Sequence, residues 1–275
     1  MGRADGLVAW VTGGGTGIGR GLALRFAADG GDVALSGRRA DRLEAVADEV
    51  RALGRRALVI VCDVTEEAAC ASAVAAIERE LGRLDVAVAN AGYGASGRIE
   101  QLTAEDWRRQ LDVNVVGVAN TAKHALPALR KTGGRLALVS SVMGMLAMPG
   151  QGPYTASKFA VRAMGLTLAQ ELHGTGVSCT TLYPGFVESE IGQVGLDGSF
   201  DASRKDKRPQ KMMWSSDKAA ATMWAAIWKR KREHVFTGHG KLGGFLGRHL
   251  PGLVHFAMTR ESAKKKVLST TKAGR

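Results

Sequence analysis

Residues 8–19 read VAWVTGGGTGIG, a short apolar run that passes through a glycine-rich turn into a segment of helical periodicity. A strand, turn and helix in this order aim free backbone N–H groups, at the positive end of a helix dipole, toward one point where a phosphate can bind. The run DVALSG at 32–37 is typical of the second strand of such a unit. The spacing differs from G-x-G-x-x-G, because three residues separate Gly13 from Gly17. We predict a phosphate-binding turn made of Gly13, Gly15, Thr16, Gly17, Ile18 and Gly19.

Apolar runs and helical segments continue to alternate along the chain. The strand-like runs include RALVIVCDV, LDVAVANAG, GRLALVS and VSCTTLYPG, and helical patterns separate them. Nearly continuous apolar strands that alternate with helices favour a parallel sheet covered on both faces. We predict an α/β fold, a Rossmann-like doubly wound parallel sheet of about seven strands flanked by helices in a single domain. One predicted helix covers residues 38–54, with Leu43, Val46, Val50 and Leu53 on its inner face.

Composition supports one globular domain in a reducing compartment. The chain has 275 residues, of which 45% are apolar, enough for a sizeable core. It contains no run of about 18 apolar residues, and its start lacks the layout of a secretory signal, so we expect a cytoplasmic protein. Cys62, Cys70 and Cys179 have no metal-ligand spacing and are interpreted as core residues, so we predict no metal site.

The net charge of +12 is concentrated near the C-terminus. Residues 203–275 hold 18 lysines and arginines against 4 acidic residues, whereas residues 1–202 hold 20 against 22. The segment GKLGGFLGRHLPGLVHFAMT mixes apolar and basic residues, a pattern that can cover a pocket, cover a neighbouring subunit or lie on an anionic membrane. Nucleic-acid binding is disfavoured, because the segment carries no recognition motif.

The residues that follow the second strand bear on the choice of cofactor. An NAD site normally places an acidic residue there, to bind the ribose of the adenosine. This chain has SGRR, with Gly37 at the acidic position and Arg38 and Arg39 beyond it. Guanidinium groups favour a 2′-phosphate, so we predict NADP(H) in preference to NAD(H). The alternative is that the two arginines are the solvated start of a helix.

A tyrosine and a lysine four residues apart, Tyr154 and Lys158, lie on one face of a predicted helix. Five further motifs accompany them in order: T-G-x-x-x-G-x-G at 12–19, NAG at 90–92, VN at 113–114, SS at 140–141 and PG at 184–185. Together these motifs resemble the short-chain dehydrogenase/reductase family over roughly residues 5–190. Two departures are ANAG in place of the frequent NNAG, and Ser189 where a threonine is common.

The resemblance implies four catalytic residues. Tyr154 would be the general acid/base, and Lys158 would lower the pKa of its phenol and hold the nicotinamide ribose. Ser141 would bond the substrate oxygen, and Asn114 would position a water in a proton relay. A phenol has a pKa near 10, so action as a base near neutral pH requires a shift of about 2 to 3 units, which a nearby ammonium supplies in part.

The resemblance also implies the rest of the cofactor site. Asp63 would contact adenine, and the Pro184–Gly185 turn would lead to residues that meet the nicotinamide carboxamide. Besides the glycine turn, the two arginines and the tyrosine–lysine pair, the implied cofactor contacts are Asp63, Val64, Asn90, Ala91, Gly92, Pro184, Gly185, Val187 and Ser189.

We therefore predict an NADP(H)-dependent oxidoreductase that transfers hydride to or from the carbonyl or alcohol carbon of an apolar substrate, such as a ketone, an aldehyde, or a steroid-like or fatty compound. The alternative is a non-catalytic NADP(H)-binding scaffold or redox sensor with a membrane- or partner-binding basic tail. Residues 1–190 would form the catalytic core, and residues 191–275 the substrate flap and basic extension. A homodimer or homotetramer is expected, with peripheral membrane contact as one reading of the tail.

Overall fold

Seven parallel strands form one sheet in the computed structural model, which describes residues 2–94, 96–206 and 208–260. The strands are β1 (Val8–Thr12), β2 (Asp32–Gly37), β3 (Ala57–Val61), β4 (Val86–Ala89), β5 (Arg135–Val139), β6 (Ser178–Tyr183) and β7 (Glu233–Val235). Their order across the sheet is β3-β2-β1-β4-β5-β6-β7. This confirms the predicted Rossmann-like doubly wound sheet.

The strand order reverses between β1 and β4, which pair with Ala9 opposite Val86 and Val11 opposite Val88. Chain connections leave this point in opposite directions, so a crevice opens beyond the carboxyl ends of the two strands. β1, β2 and β4 are almost wholly buried, as strands covered on both faces must be. The glycine-rich turn follows β1 directly, and the NAG motif follows β4, so both predicted motifs lie at this crevice.

Helices cover both faces of the sheet. They are α1 (Gly17–Ala28), α2 (Ala40–Ala52), α3 (Glu67–Leu81), α4 (Ala104–Leu111), α5 (Gly117–Thr132), α6 (Gly152–Glu171), α7 (Ser216–Trp228), α8 (Gly238–His249) and α9 (Pro251–Thr259). One core lies between the sheet and α1, α2 and α7, and the other lies between the sheet and α3, α5 and α6. The three cysteines are free and buried, as interpreted from the sequence.

One residue of the predicted α2 core face is placed differently. Leu43, Val46 and Val50 are buried, but the prediction for Leu53 was wrong, since its exposed fraction is 48%. α2 ends at Ala52, so Leu53 lies at the C-cap position and leaves the helical repeat that buries the other three.

A π-helical segment, Asp112–Val116, joins α4 to α5 without a break in the helix. Such a segment contains one extra residue per turn, which rotates the side chains that follow it, and it is frequent at functional sites. Asn114 lies at its centre and is fully buried. The sequence predicts a helix near 104–130 but not this change of helical pitch.

The C-terminal helices differ in how much they are buried. α8 packs on the segment that follows β5: a Cβ at Gly243 would lie 3.0 Å from the Leu146 side chain, and one at Gly247 2.8 Å from Leu146 Cβ. α9 has no buried residue. None of the helices in the described ranges has the length and apolar character needed to cross a membrane. Residues 261–275, the end of the predicted basic extension, lie outside the described residues.

Candidate active site

The glycine-rich turn connects β1 to α1 at the carboxyl edge of the sheet. Gly13 and Gly17 have φ values of 64° and 50°, a region that residues with a Cβ rarely adopt. A Cβ at Gly19 would lie 2.7 Å from the Asn90 amide nitrogen. The N-cap residue Thr16 forms no side-chain bond to the first turn of α1, so it leaves the N–H groups there to another acceptor. The turn thus presents backbone donors that an anion can approach closely.

The two remaining predicted residues of the turn have neighbours on different sides. Gly15 faces α2, because a Cβ there would lie 3.0 Å from Arg42 Cβ. Ile18 is partly buried and packs against the core beneath α1. The structure therefore brings all six residues of the predicted turn to one edge of the sheet.

Hydrogen bonds attach the end of β4 to the glycine-rich turn. The Thr12 hydroxyl accepts the backbone N–H groups of Asn90 at 3.0 Å and Ala91 at 3.1 Å. In return the Asn90 amide donates to the carbonyls of Thr12 at 2.9 Å and Gly13 at 3.2 Å. Gly92 continues the same strand end toward Asn114. The NAG motif is therefore held beside the turn, where the crevice opens.

Tyr154, Lys158 and Ser141 meet where β5 ends and α6 begins. The Lys158 ammonium lies 5.7 Å from the centroid of the Tyr154 ring and donates to the Val139 carbonyl at 3.0 Å. Ser141 follows β5, and its hydroxyl lies close enough to the Tyr154 phenol to lower the pKa of that phenol. Pro153, in the first turn of α6, fixes the backbone next to Tyr154. The predicted catalytic trio is thus assembled in space.

Burial sets the protonation of this trio. Desolvation raises the pKa of the Tyr154 phenol, while the Ser141 bond and the positive charge of Arg208 lower it in part. Desolvation also lowers the pKa of Lys158, to about 8. At neutral pH the phenol is therefore neutral and the ammonium still charged. The Lys158 ammonium donates to the Val139 carbonyl rather than to the Tyr154 phenol. The lowering of the Tyr154 pKa by Lys158 therefore stays a prediction, made for the protein with cofactor bound.

Asn114 connects the π-helical segment to α6. Its carbonyl oxygen accepts the Tyr93 N–H at 3.0 Å, and its amide donates to the Tyr93 carbonyl at 2.9 Å and to the Ser157 hydroxyl at 3.0 Å. Ser157 in turn donates to the Tyr154 carbonyl at 2.7 Å. A Cβ at Gly92 would lie 2.9 Å from the Asn114 oxygen and 3.7 Å from the Lys158 ammonium. The fourth predicted catalytic residue therefore connects the Tyr93 backbone to the first turns of α6, which carry Tyr154.

The residues predicted to bind the adenosine end lie beyond β2 and β3. Asp63 accepts the Thr65 N–H at 3.0 Å and the Thr65 hydroxyl at 2.9 Å, which fixes the turn after β3. Val64 is buried, and its carbonyl accepts the Asn120 amide at 2.9 Å. Both predicted residues are thus held in a rigid turn at the same edge of the sheet as the glycine loop.

The Pro184–Gly185 turn follows β6 and packs on the start of α8. A Cβ at Gly185 would overlap Thr237 and the His239 ring, so only glycine fits there. His239 Nε2 accepts the Phe186 N–H at 2.9 Å, and burial lowers the pKa of its imidazole, which keeps it neutral for this bond. Sequence reasoning missed His239, because it lies 53 residues from its partner.

A loop closed at its base extends from this turn. The Trp214 backbone carbonyl accepts the Glu188 N–H at 3.0 Å, and the Trp214 backbone N–H donates to the Phe186 carbonyl at 3.0 Å. We call residues 188–206 and 208–213 the flap loop. Val187, which precedes the loop, is buried in the core. The first residues of the loop return to the glycine turn: a Cβ at Gly17 would lie 2.7 Å from Ser189 Cβ and 3.5 Å from the Glu188 carbonyl oxygen. The loop thus crosses the crevice that the two strands open.

Arg208 organises the start of this loop. Its guanidinium donates to the Val187 carbonyl at 2.9 Å, the Ser189 hydroxyl at 3.2 Å and the Ser189 carbonyl at 2.6 Å. Asp206 neutralises it at 2.8 Å. Its charge also reaches Tyr154, as noted above. Nothing in the sequence indicates the role of Arg208 beyond its place in a basic stretch, because its partners lie about twenty residues away.

A pyridine dinucleotide fits this arrangement. The glycine turn leaves room for close approach and lacks a side-chain cap, the NAG strand end lines the crevice, and a charged lysine lies beside a neutral tyrosine. Among the described residues no group of three or more His, Cys, Asp or Glu side chains could hold a metal ion.

A family model described as short chain dehydrogenase matches residues 7–196. The chain belongs to this family. A relative from Myxococcus xanthus, named an uncharacterized oxidoreductase, is 40% identical over 184 residues, which cover 66% of this chain and 73% of that protein. The short-chain dehydrogenase family binds NAD or NADP and acts on small-molecule substrates, and this chain is accordingly an oxidoreductase.

Solved structures of this family agree with the fold. A short-chain dehydrogenase/reductase from Burkholderia phymatum in complex with NAD superposes with a TM-score of 0.77 at 25% identity and covers 96% of each chain. A short-chain dehydrogenase from Burkholderia cenocepacia in complex with NADP has a TM-score of 0.73 at 32% identity and covers 82% of this chain and 91% of that one. The neighbours thus include complexes with either nucleotide.

Proposed function

We propose that this short-chain dehydrogenase transfers hydride between NADP(H) and the carbonyl or alcohol carbon of an apolar substrate, with Tyr154 as the general acid/base. The observation that carries the proposal is the junction of Tyr154, Lys158 and Ser141 beside the glycine turn. A non-catalytic scaffold would be free to lose the tyrosine or the lysine, and both are present.

The residues divide the chemistry between them. The bound nicotinamide supplies or accepts the hydride. The Ser141 hydroxyl donates a hydrogen bond to the substrate oxygen and stabilises the negative charge that develops on it. The Tyr154 phenol, neutral at pH 7 because burial raises its pKa, gives its proton to that oxygen during reduction. In the oxidation direction it takes the proton back.

Lys158 and Asn114 keep the tyrosine ready for this proton transfer. We propose that the Lys158 ammonium stabilises the phenolate as it forms and holds the nicotinamide ribose, since the group is buried and still charged at neutral pH. Asn114 holds Ser157 and the Tyr93 backbone, and we propose that it positions a water that returns protons to the site.

The preference for NADP(H) rests on the residues beyond β2. Gly37 presents no carboxylate, and Arg38 and Arg39 follow it. We propose that they bind the 2′-phosphate, while Asp63 and Val64 contact adenine and Val187 and Ser189 meet the nicotinamide carboxamide. Replacement of Arg38 by alanine should weaken NADPH binding and leave NADH binding nearly unchanged.

The apolar substrate class rests on the segment directly after Ser141. Residues 142–149 read VMGMLAMP and contain no charged side chain. α8 packs on this segment, and we propose that the segment forms one wall of the substrate pocket. We therefore propose that residues 1–190 form the catalytic core and residues 191–275 the flap and the wall over the substrate, in a homodimer or homotetramer in the cytoplasm.

The experiment is a panel of ketones, aldehydes and the matching alcohols with NADPH and NADH, followed by absorbance, on the native chain and Tyr154→Phe. Tyr183→Phe is the matched control, because Tyr183 lies in β6 with its hydroxyl on Glu233. Tyr154→Phe should lose most of its turnover but still bind cofactor, whereas Tyr183→Phe should keep its turnover. Full turnover in Tyr154→Phe would contradict the acid/base role.

Exposed apolar side chains favour one further function for the C-terminal helices. Leu242, Phe245, Leu250, Leu253 and Phe256 are each between 46% and 61% exposed, and residues 238–260 contain no acidic side chain. We propose that this face touches anionic membranes. The full chain should then co-sediment with vesicles that contain an anionic phospholipid and not with neutral ones, and deletion of residues 241–275, which removes all five side chains, should abolish this. Retention after the deletion would remove the proposal.

A further inference from the structure

The flap loop is attached to α2 through a cluster of three arginines. Glu190 lies 2.6 Å from Arg39 Nη2 and 3.6 Å from Arg42 Nη2. Arg38 Nη2 donates to the Gly198 carbonyl at 3.3 Å, and the Arg39 guanidinium lies 5.2 Å from the centroid of the Phe200 ring. The loop therefore rests on the arginines that the proposed function assigns to a 2′-phosphate, together with Arg42.

The charges around this cluster define what it can bind. Arg38, Arg39 and Arg42 bring three positive charges, and Glu190 is the acid that two of them share. Among the residues that the structure describes, the other acid in contact with the cluster is Asp41, at 4.0 Å from Arg42 Nε and 80% exposed. Glu190 is the better enclosed carboxylate, with a side-chain exposed fraction of 23%. The cluster thus keeps an excess of positive charge, with one carboxylate at its centre.

The ion pairs that Glu190 forms with Arg39 and Arg42 hold the flap loop only weakly, so a stronger anion can displace the carboxylate. The side chains of Arg39 and Arg42 are 41% and 47% exposed, and ion pairs open to water to this degree contribute little to stability. A phosphate dianion carries more charge and more acceptor oxygens than a carboxylate, and arginine binds it through two parallel N–H groups. A 2′-phosphate that reaches the cluster therefore competes favourably with Glu190.

We propose that Glu190 is an internal counter-anion that occupies the arginine cluster until the 2′-phosphate of NADP(H) replaces it. The inference rests on the proposed function, since it assumes that the 2′-phosphate binds at Arg38 and Arg39. Binding of NADP(H) exchanges carboxylate for phosphate and detaches this part of the flap loop from α2. NAD(H) has no group to make that exchange, so it leaves the ion pairs intact. Glu190 is thus a specificity-determining residue that weakens NADP(H) binding selectively.

The test measures dissociation constants of NADPH and NADH by fluorescence titration of the purified full chain. Glu190→Gln should bind NADPH about fivefold more tightly than the native chain, which is the range of a partly exposed ion pair. Its affinity for NADH should change less than twofold. Glu188→Gln is the matched control, because Glu188 lies two residues earlier, is exposed, and forms no ion pair with the described residues. It should leave both constants unchanged.

Two further measurements isolate the adenosine end. Adenosine 2′,5′-bisphosphate, which lacks the nicotinamide, should show the same gain in Glu190→Gln as NADPH. In an Arg39→Gln background the gain should shrink, because only Arg42 still pairs with Glu190. An equal gain for NADPH and NADH would overturn the exchange, since the loop would then act on any nucleotide. Unchanged or weaker NADPH binding in Glu190→Gln would overturn it as well.

Failure of the inference can be told from failure of the proposed function. If the native chain binds neither nucleotide, the proposed function fails and the inference fails with it. If it binds NADPH, and Arg38→Ala weakens that binding selectively, the 2′-phosphate site stands. A silent Glu190→Gln variant in that case removes the inference alone.

Discussion

Ser189 of the flap loop lies directly on Gly17 of the glycine turn, so that a Cβ at Gly17 would approach Ser189 Cβ to 2.7 Å. Gly17 begins α1, whose first-turn N–H groups are proposed to bind the cofactor phosphates. Gly17, at the proposed phosphate site, and Ser189, which is proposed to contact the nicotinamide, are therefore packed against each other. A change at Gly17 must displace the flap loop, the helix start, or both.

Gly17→Ala should lose at least about tenfold in affinity for either nucleotide, because the new methyl group meets Ser189 and the φ of 50° strains alanine. Gly6→Ala is the control: Gly6 has a φ of 72°, and a Cβ there would meet nothing within 4 Å. Both variants should lose roughly 1 kcal/mol of stability from backbone strain, and only Gly17→Ala should lose binding. Calorimetry and nucleotide titration separate the two effects. Equal binding by the two variants would show that the contact with Ser189 has no influence.

Gly37→Asp should shift the preference from NADPH toward NADH. The nearest atom to a Cβ at Gly37 is Leu43 Cδ2 at 3.7 Å, an ordinary contact, so the side chain fits without displacing the fold. Its carboxylate would repel the 2′-phosphate and accept a hydrogen bond from a ribose hydroxyl. We expect the ratio of the NADPH to the NADH dissociation constant to rise by at least about tenfold.

Gly37→Asn controls for size in this experiment. It has nearly the same volume without the charge, so it should change the ratio much less. Similar behaviour of the aspartate and asparagine variants would place the 2′-phosphate elsewhere.

The sequence predicts the parts of this fold and site that depend on neighbouring residues. Tyr154 and Lys158 are one helical turn apart, so their spacing alone brings them to one face. The glycine turn follows β1 without an insertion, so its place at the sheet edge follows from the strand. Such local patterns survive folding, because the backbone geometry of the element dictates them.

Contacts between distant segments could not be read in the same way. Arg39 and Glu190 are 151 residues apart, and nothing in the sequence around either residue predicts that the two form an ion pair. β7 has only three residues, Glu233–Val235, and joins the sheet by pairing with β6 rather than through an apolar pattern of its own. Leu53 continues the apolar repeat of α2 in the sequence, but α2 ends at Ala52 and leaves Leu53 exposed. In each case tertiary packing decides, and one sequence does not show it.

Asn114→Ala should cost about 2 to 4 kcal/mol of stability, because it leaves the Tyr93 N–H and carbonyl and the Ser157 hydroxyl with one partner fewer inside the protein. It should also lower turnover more than it weakens NADPH binding, since the lost bonds support Tyr154 and its proposed water. Asn120→Ala is the control, because Asn120 is likewise a buried amide, bonded to the Val64 carbonyl, but lies away from Tyr154. Urea unfolding and steady-state kinetics give the two readouts. An equal loss of turnover in both variants would reduce Asn114 to a structural residue.

Lys158→Met should stabilise the ligand-free protein at pH 7 while it abolishes turnover. Burial lowers the pKa of Lys158 from 10.5 to about 8, so below pH 8 the folded state carries a charged amine at a cost of up to about 3 kcal/mol.

Between pH 8 and 10.5 the folded state releases this proton before the unfolded state does. The unfolded state then binds more protons, so the unfolding free energy of the native chain rises with pH relative to that of the methionine variant. The advantage of Lys158→Met should therefore shrink across this window, as measured by urea unfolding at several pH values. Lys123→Met is the control, since Lys123 is 63% exposed and pairs with Glu67 at the surface, so its replacement removes no buried charge and should not stabilise the protein at pH 7. A difference for Lys158→Met that stays constant with pH would mean that the amine titrates as it does in water, and the desolvation of the Lys158 ammonium would be excluded.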